Sequence, residues 1–392
     1  MSKQPKILIT TAAFGDGHNT AARNLHAAFQ RLGVDSEVRD FLVEGAPGVT
    51  RTLNQSYRWA ITHMPRLWHR LYGYADKACL HGSWLNAFDL PERALASYLG
   101  RHRPDFILST YPLYAYLLNS LYLGRLRRPF PVYNVITDSL TINHAWLRGG
   151  VDHSFVTDAL TADIVRQDLP PHDVTVSGFP VDLGFERLFS QLTPPRPGYP
   201  LRVLYMATER PPKVAQTLRH ILEYQSRSGM DVTVVLGRRE KELRRLVESV
   251  AGRQSVEILG WTDRIPELMC THHVLISKAG GATVHEARAA HCPLMINFVV
   301  PGQEEGNAEL MLRENCGCRL ENTQDIPRQL RAWFEHGAER WLALRDSLYR
   351  VGQPDAAMNI ARRTLAMNGL SAPEISQFPE PPLEEKASSS KA

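Results

Sequence analysis

The chain predicts an α/β protein built from two parallel-sheet domains, and three observations carry that reading. Short apolar runs alternate with helix-period stretches, the alternation occurs twice, and a breaker-rich segment separates the two series. The 392 residues suit two domains, and 43% hydrophobic with 22% charged residues lies near the globular average. A core of that size forms without disulfide or metal staples, so collagenous, knottin-like and wholly disordered chains are excluded.

The first series opens with Lys6-Ile-Leu-Ile-Thr-Thr11, then Ala12-Ala-Phe-Gly-Asp-Gly-His18, then Ala21, Leu25, Ala28, Phe29 and Leu32 on one helical face. That order is strand, glycine loop, helix. Gly33 stands where a helix C-terminal cap belongs, and Val34 to Phe41 reads as a second strand. Further strands are expected at Asp105 to Ser109, Pro131 to Thr137, Ser154 to Thr157 and Val174 to Val176. The stretch Ser190 to Pro200 holds four prolines and a glycine, which fits a linker better than an element. After it the pattern restarts: strand Arg202 to Ala207, helix Lys213 to Arg227, strand Asp231 to Leu236, helix Arg239 to Ala251, and strands at Val256 to Leu259, His273 to Ser277 and Leu294 to Val299, with a helix beginning near Thr283. The predicted divisions are a first domain at 1–189, a linker at 190–200, a second domain at 201–370 and a disordered tail at 371–392, rich in proline, acids and serine.

A net charge of +4 does not demand a nucleic-acid partner, and no RNA- or DNA-binding motif is present. The five cysteines are odd and sparse, and the first residues lead straight into a strand; reduced thiols of a cytoplasmic protein are expected. Cys316-Gly-Cys318 alone is a weak metal signal. The longest uncharged run, Phe106 to Gly124, contains Pro112 and four tyrosines, and reads as strand, turn and helix rather than a membrane span.

Two constellations carry chemistry. Gly15, Gly17 and His18 sit where a sheet edge meets a helix N-terminus, whose free N–H groups suit an oxygen or a phosphate. Gly-x-Gly-x-x-Thr lacks the third glycine of a dinucleotide fingerprint, although Asp40 near the end of the second strand keeps a dehydrogenase reading open. His18 reads either as a general base or as a residue that only closes the loop. The second constellation is Ser277-Lys-Ala-Gly-Gly-Ala-Thr-Val-His-Glu286 followed by Pro301-Gly-Gln-Glu-Glu-Gly-Asn307. Gly280 and Gly281 let a ligand approach backbone, and Glu286 stands where ribose hydroxyls would reach it. Thr283-x-x-Glu286 equally matches a capping box that serves the helix alone. Gln303, Glu304, Glu305 and Asn307 place four polar side chains beside two glycines, more than folding requires; Glu305 and Asn307 also suit capping of the next helix. Asp138 and His144 fit the orienting of an acceptor hydroxyl, while Asp138 equally suits the start of a turn. Trp146 and Trp261 read as core residues before sugar platforms.

Together these motifs resemble one family. Lys278-Ala-Gly-Gly-Ala-Thr283, Glu286-Ala and Pro301-Gly-Gln-Glu-Glu-Gly-Asn307 closely resemble the donor half of processive diacylglycerol glycosyltransferases and plant-type monogalactosyldiacylglycerol synthases, relatives of the peptidoglycan transferase MurG. Gly15-x-Gly-His18, Thr137-Asp138, His144-Ala-Trp146, Val151-Asp152 and Gly178-Phe-Pro180 resemble the acceptor half. The resemblance implies a GT-B fold, two Rossmann-like domains facing an interdomain cleft, with inverting, metal-independent transfer of a hexose from a UDP-sugar to a lipid hydroxyl, most favourably diacylglycerol. It implies no cofactor beyond the UDP-sugar donor. By position, Glu286 would bind ribose, Gly280 to Thr283 the diphosphate, Gln303 with Glu304 the sugar, and His18 with Asp138 the acceptor; Lys278 and the helix end would then stabilise the leaving diphosphate. No Asp-x-Asp pair or P-loop is present, in agreement with the absence of a metal. A helix at Asp355 to Met367 crossing back to the first domain is expected by analogy.

One departure stands out. Where the family has a glycine-rich loop after the first strand of the second domain, this chain reads Tyr205-Met-Ala-Thr-Glu-Arg-Pro-Pro-Lys213, so Thr208, Arg210 and Lys213 would have to reach a phosphate with side chains. From Arg51 to Arg103 the chain nets +5 while the rest nets −1, and this stretch carries Trp59, Trp68 and Trp84. Basic and amphipathic aromatic residues suit an anionic membrane face, which is where the family docks; an ordinary helix pair is the alternative. The expectation is a cytoplasmic enzyme peripheral to the inner face of the cell membrane. The competing readings are a UDP-GlcNAc-using transferase or 2-epimerase-like enzyme of the same fold, and a non-catalytic UDP-sugar or lipid-binding protein.

Overall fold

The computed structural model describes residues 5–14, 16–64, 88–123, 128–170, 173–191, 200–302 and 304–371, without the side chains of 57–63, 189–191 and 227–228. Gly15, Gln303, Trp68, Trp84, the side chain of Trp59, most of the 190–200 linker and the tail from 372 onward lie outside the described residues.

Two parallel sheets account for the strands. The first contains β1 (Ile7–Thr10), β2 (Ser36–Arg39), β3 (Phe106–Ser109), β4 (Val132–Val135), β5 (His153–Val156) and β6 (Val174–Val176), in the order β2-β1-β3-β4-β5-β6. The second contains β7 (Arg202–Met206), β8 (Asp231–Val235), β9 (Val256–Leu259), β10 (Val274–Lys278), β11 (Leu294–Phe298) and β12 (Gly317–Arg319), ordered β12-β11-β10-β7-β8-β9. β1, β3, β4 and β5 are buried along their whole length, as strands covered by helices on both faces must be. The apolar pattern does not announce β12, because it is three residues long with one arginine. Gly317 lets it pair, since a Cβ there would collide with the Leu294 backbone.

Around the first sheet lie α1 (Asp16–Arg31), α2 (Phe41–Gly45), α3 (Pro47–His63), α4 (Asp89–His102), α5 (Leu113–Leu121), α6 (Ala159–Val165) and α7 (Leu183–Gln191). α1 turns Ala21, Ala22, Leu25, Ala28 and Phe29 inward and ends at Gly33, whose φ of 69° is left-handed as expected of a C-terminal cap. Around the second sheet lie α8 (Pro211–Ser228), α9 (Glu240–Ala251), α10 (Ile265–Thr271), α11 (Gly281–Ala289), α12 (Glu305–Arg313), α13 (Ile326–Phe334) and α14 (Glu339–Val351). The last helix, α15 (Ala356–Met367), returns to the first sheet. Its Ala357, Met358, Ile360, Ala361 and Leu365 share a core with Ile7, Ile9, Ala22 and Leu25.

Apolar packing also runs between the halves: Ala21, Phe179 and Phe185 are buried in one cluster with Leu268, Met269, Val284 and Ala287. Each phenylalanine, leucine, methionine or valine side chain fully removed from water contributes about 1.5–3 kcal/mol. In an open parallel sheet a ligand crevice forms beyond the carboxyl ends of the strands where strand order reverses. Here those points lie between β1 and β3 in one sheet and between β7 and β10 in the other. Among the described residues no helix is long and apolar enough to cross a membrane.

Candidate active site

At the first reversal point, His18 in the opening turn of α1 meets residues that follow β3 and β4. Its Nδ1 lies 2.9 Å from Thr137 Oγ1, and its ring stands edge-on to Tyr111 at 5.1 Å between centroids. Thr110 Oγ1 donates to the His18 carbonyl at 3.1 Å, fixing the turn. Asp138 follows Thr137, and the Trp146 indole donates Nε1–H to Asp138 Oδ2 at 2.8 Å. Burial pushes the His18 pKa down, against the pull of the nearby Asp138 charge; burial pushes Asp138 up, against His18 and Trp146. Burial thus disfavours charge on both groups, while each favours the charged form of the other.

The other predicted residues of this half divide. Trp146 is buried, so the core expectation stands, yet its polar edge serves Asp138. His144 is exposed at the start of a short 3₁₀ helix, His144–Trp146. Gly17 is not demanded by packing, since a Cβ there would meet nothing within 4 Å. The dehydrogenase reading of Asp40 is corrected. Its carboxylate accepts from Ala13, Leu42 and Val43 N–H groups at 2.9, 3.0 and 3.2 Å, with Tyr114 Oη 3.3 Å away, and so is spent on capping α2 and tying the loop after β1 to it.

At the second reversal point, α11 begins at Gly281 with Gly280 as its N-cap and no side-chain cap. The capping-box reading is therefore corrected: Thr283 lies inside the helix, and Glu286 lies too far along it to reach back. The N–H groups of Gly281, Ala282 and Thr283 have no partner among the described residues. This open end faces the first domain, because a Cβ on Gly281 would stand 3.2 Å from the Thr137 carbonyl oxygen. Lys278 reaches over Gly280 and pairs with Glu304, whose other oxygen accepts from Val300 N–H at 3.0 Å. Asn307 donates to the Ala279 carbonyl at 3.2 Å and does not cap α12. Glu286 is half-buried, and burial together with the Asp182 charge raises its pKa to about 7.

Sequence reasoning missed several members of the site. Tyr111 follows β3, and only the pairing of β3 with β1 brings it beside His18. Glu209, in the loop that departs from the family pattern, is buried and accepts from Tyr205 Oη at 3.1 Å, Thr208 N–H at 3.0 Å and Asn297. Trp261 is corrected from core to surface: it is 68% exposed just beyond β9. The signal that would have found it is its place after Gly260, at the carboxyl edge of the same sheet. Arg238, in the loop after β8, pairs with Asp16 of α1 at 3.4 Å, so that loop too meets the first domain. Among the described residues no group of three or more His, Cys, Asp or Glu side chains is placed to hold a metal.

Two parallel sheets with facing reversal points define the GT-B fold, and solved structures share it. UDP-GlcNAc 2-epimerase from Neisseria meningitidis, bound to UDP-GlcNAc, superimposes with a TM-score of 0.58 at 13% identity over 92% of this chain and 100% of that one. Anabaena HepE in complex with UDP and glucose gives 0.52 at 15% over 93% and 100%, and the calicheamicin glycosyltransferase 0.55 at 13% over 93% and 99%. Within that class, residues 18–181 match the family model described as monogalactosyldiacylglycerol (MGDG) synthase. Processive diacylglycerol beta-glucosyltransferase of Bacillus mycoides is 26% identical over 94% of this chain and 95% of its own, and that of Bacillus cytotoxicus 27% over the same shares. The chain thus carries a match to the MGDG synthase model in its first half and is distantly homologous, along nearly its whole length, to processive diacylglycerol beta-glucosyltransferases.

Proposed function

We propose that the protein moves a hexose from a UDP-sugar to a lipid hydroxyl, most favourably that of diacylglycerol, with inversion and without a metal. The observation that carries this reading is the His18–Thr137–Asp138 group standing across the cleft from the open N-terminus of α11. Three N–H groups without a partner among the described residues, together with the helix dipole, suit a diphosphate there. With Nδ1–H donated to Thr137, His18 Nε2 is free to take the acceptor proton. The acceptor oxygen then bonds the anomeric carbon, the bond from that carbon to the diphosphate oxygen breaks, and UDP leaves with the electron pair. Asp138 compensates the imidazolium, and orientation across the cleft supplies much of the acceleration.

Glu286 suits ribose hydroxyls from within α11. Glu304, already engaged by Lys278 and Val300, acts on the donor chiefly by holding Lys278. Trp261 offers an exposed ring near the nucleotide end. A peripheral site on an anionic, cytoplasmic membrane face is supported by α3, where Val49 and Leu53 are 61% and 50% exposed beside exposed Arg51, and by α4, where Leu90 is 56% exposed.

UDP release measured over a panel of UDP-sugars, with and without diacylglycerol in anionic vesicles, tests the reading. Release that needs one donor and the lipid is expected. Epimerised donor without lipid would indicate a 2-epimerase, and binding without turnover a non-catalytic protein. His18→Ala should lower transfer by about 10²–10⁴-fold while UDP still binds; an unchanged rate removes the base assignment.

A further inference from the structure

Immediately behind the proposed site a line of buried polar groups crosses from one domain to the other, and its direction is fixed by chemistry. Arg288 Nη1 lies 3.1 Å from His285 Nδ1, and arginine only donates, so Nδ1 accepts. His285 is then the neutral tautomer with the proton on Nε2, which it donates to Ser139 Oγ at 3.0 Å. Thr157 spends its hydroxyl proton on Asp158 Oδ2 at 2.7 Å, so Ser139 must donate to Thr157 Oγ1 at 3.0 Å. Every link from cation to carboxylate points the same way, the arrangement in which hydrogen bonds strengthen one another. Burial and the Arg288 charge hold the His285 pKa well below the usual imidazole range, in agreement with the neutral form. Phe179 of the first domain lies parallel to the His285 ring, 5.4 Å between centroids and 2° from coplanar orientation.

The segment this line grips is strained. Leu140 has a φ of 56°, rare for a bulky residue, and Thr141 N–H closes a tight turn on the Ser139 carbonyl at 2.6 Å. Leu140 N–H donates to Thr161 Oγ1 at 3.1 Å, and Thr161 donates in turn to Asp158 at 2.8 Å. The Asp158 carboxylate therefore holds the turn at two points, Ser139 Oγ through Thr157 and Leu140 N–H through Thr161. From the other domain α12 presses on the same turn at Gly306, where any Cβ would collide with the Ser139 carbonyl. Thr137 and Asp138 immediately precede this turn, and Glu286 immediately follows His285.

We propose that His285 is a positioning residue that joins the two halves of the site: through Ser139 it fixes α11 in register with the 137–141 segment, setting the separation between donor and the His18–Asp138 group. The proposal rests on the reading of the site given above for its effect on turnover, but the contact itself is testable without it. The experiment uses the full chain as wild type, His285→Leu, His285→Gln, Ser139→Ala and the His285→Leu/Ser139→Ala double variant. It measures amide hydrogen exchange of peptide 137–142, thermal stability, and kcat and donor KM.

In His285→Leu, exchange of that peptide should accelerate at least about tenfold, and kcat should fall about 10–100-fold with donor KM little changed, as expected when reacting groups are displaced without loss of binding. The double variant should be hardly worse than either single one, because both cut the same link. His285→Gln, whose amide can still donate to Ser139, should recover most of both effects. A folded His285→Leu protein with wild-type exchange at 137–142 overturns the proposal, as does a loss of kcat that follows thermal stability and is not recovered by glutamine. Should the wild type transfer no sugar at all, the functional reading fails, and the exchange measurement still decides the role of His285.

Discussion

Two helices flank the reversal point of the second sheet, α8 after β7 and α11 after β10, and their N-termini are built in opposite ways. α11 starts on Gly280-Gly281, and its first three N–H groups have no partner among the described residues. α8 starts on Pro211-Pro212, which have no N–H, and the next two amides, of Lys213 and Val214, both bond to the Arg210 carbonyl. The loop before α8 is filled from within by Glu209, and Arg239 binds its backbone at Glu209 O. Two helix dipoles thus point at one crevice, but among the described residues only α11 leaves its first-turn amides unspent. The contrast teaches that a helix dipole is not enough by itself, since a helix end suits an anion only while its first amides are unspent, and that a fold keeps its outline when one of two such ends is closed.

Perturbing each end in turn tests the contrast. The largest effect is expected from Gly281→Val, which brings a branched side chain against the Thr137 carbonyl and screens the open amides; transfer should fall about 100-fold. Retained transfer and UDP affinity would show that the donor does not use this end. Glu286→Gln should weaken UDP binding about tenfold, the loss typical of a hydrogen bond to a charged group.

The same substitution should move stability the other way. The folded pKa of Glu286, about 7, lies above its ordinary 4.5, so its contribution is full below pH 4.5 and is lost as pH rises through 7. Chemical denaturation at pH 8 should find Glu286→Gln about 1–3 kcal/mol more stable than wild type, with the difference vanishing near pH 4.5. A variant less stable at pH 8 would contradict the burial cost. Lys213→Ala, at the closed end, should weaken UDP binding only about 2–5-fold and lose even that in high salt. Smallest of all, Pro212→Ala should leave UDP affinity within about twofold, because one restored amide cannot reopen a turn already bonded to Arg210; a clear gain in affinity would mean that α8 is a phosphate site only silenced by its prolines.

Much of this was legible in the residues. The doubled alternation of apolar runs and helical faces gave two parallel α/β units, and the strands were found to within a residue or two, because burial on both faces forces continuous apolar runs. His18, Gly280, Gly281 and Glu286 stood out because glycines and titratable groups at a strand-to-helix junction have few structural uses. β12 was not legible, since three residues carry no periodicity. Neither was Glu209, an acid in a loop, because its burial depends on Tyr205 and Asn297 from two different strands.

The sequence by itself determined the class of fold, the two motif-bearing loops and the family resemblance, since each is written in residues close together along the chain. Tertiary structure alone decided which groups meet. Strand order put Tyr111 beside His18, and the start of α11 at Gly281, with Gly280 as its N-cap, left Thr283 inside the helix instead of capping it. Domain packing placed Ser139 against His285, 146 residues apart in the chain. Local patterns fix secondary structure through short-range sterics and burial, whereas the pairing of strands and domains is settled by the packing of the whole core, which no single segment encodes.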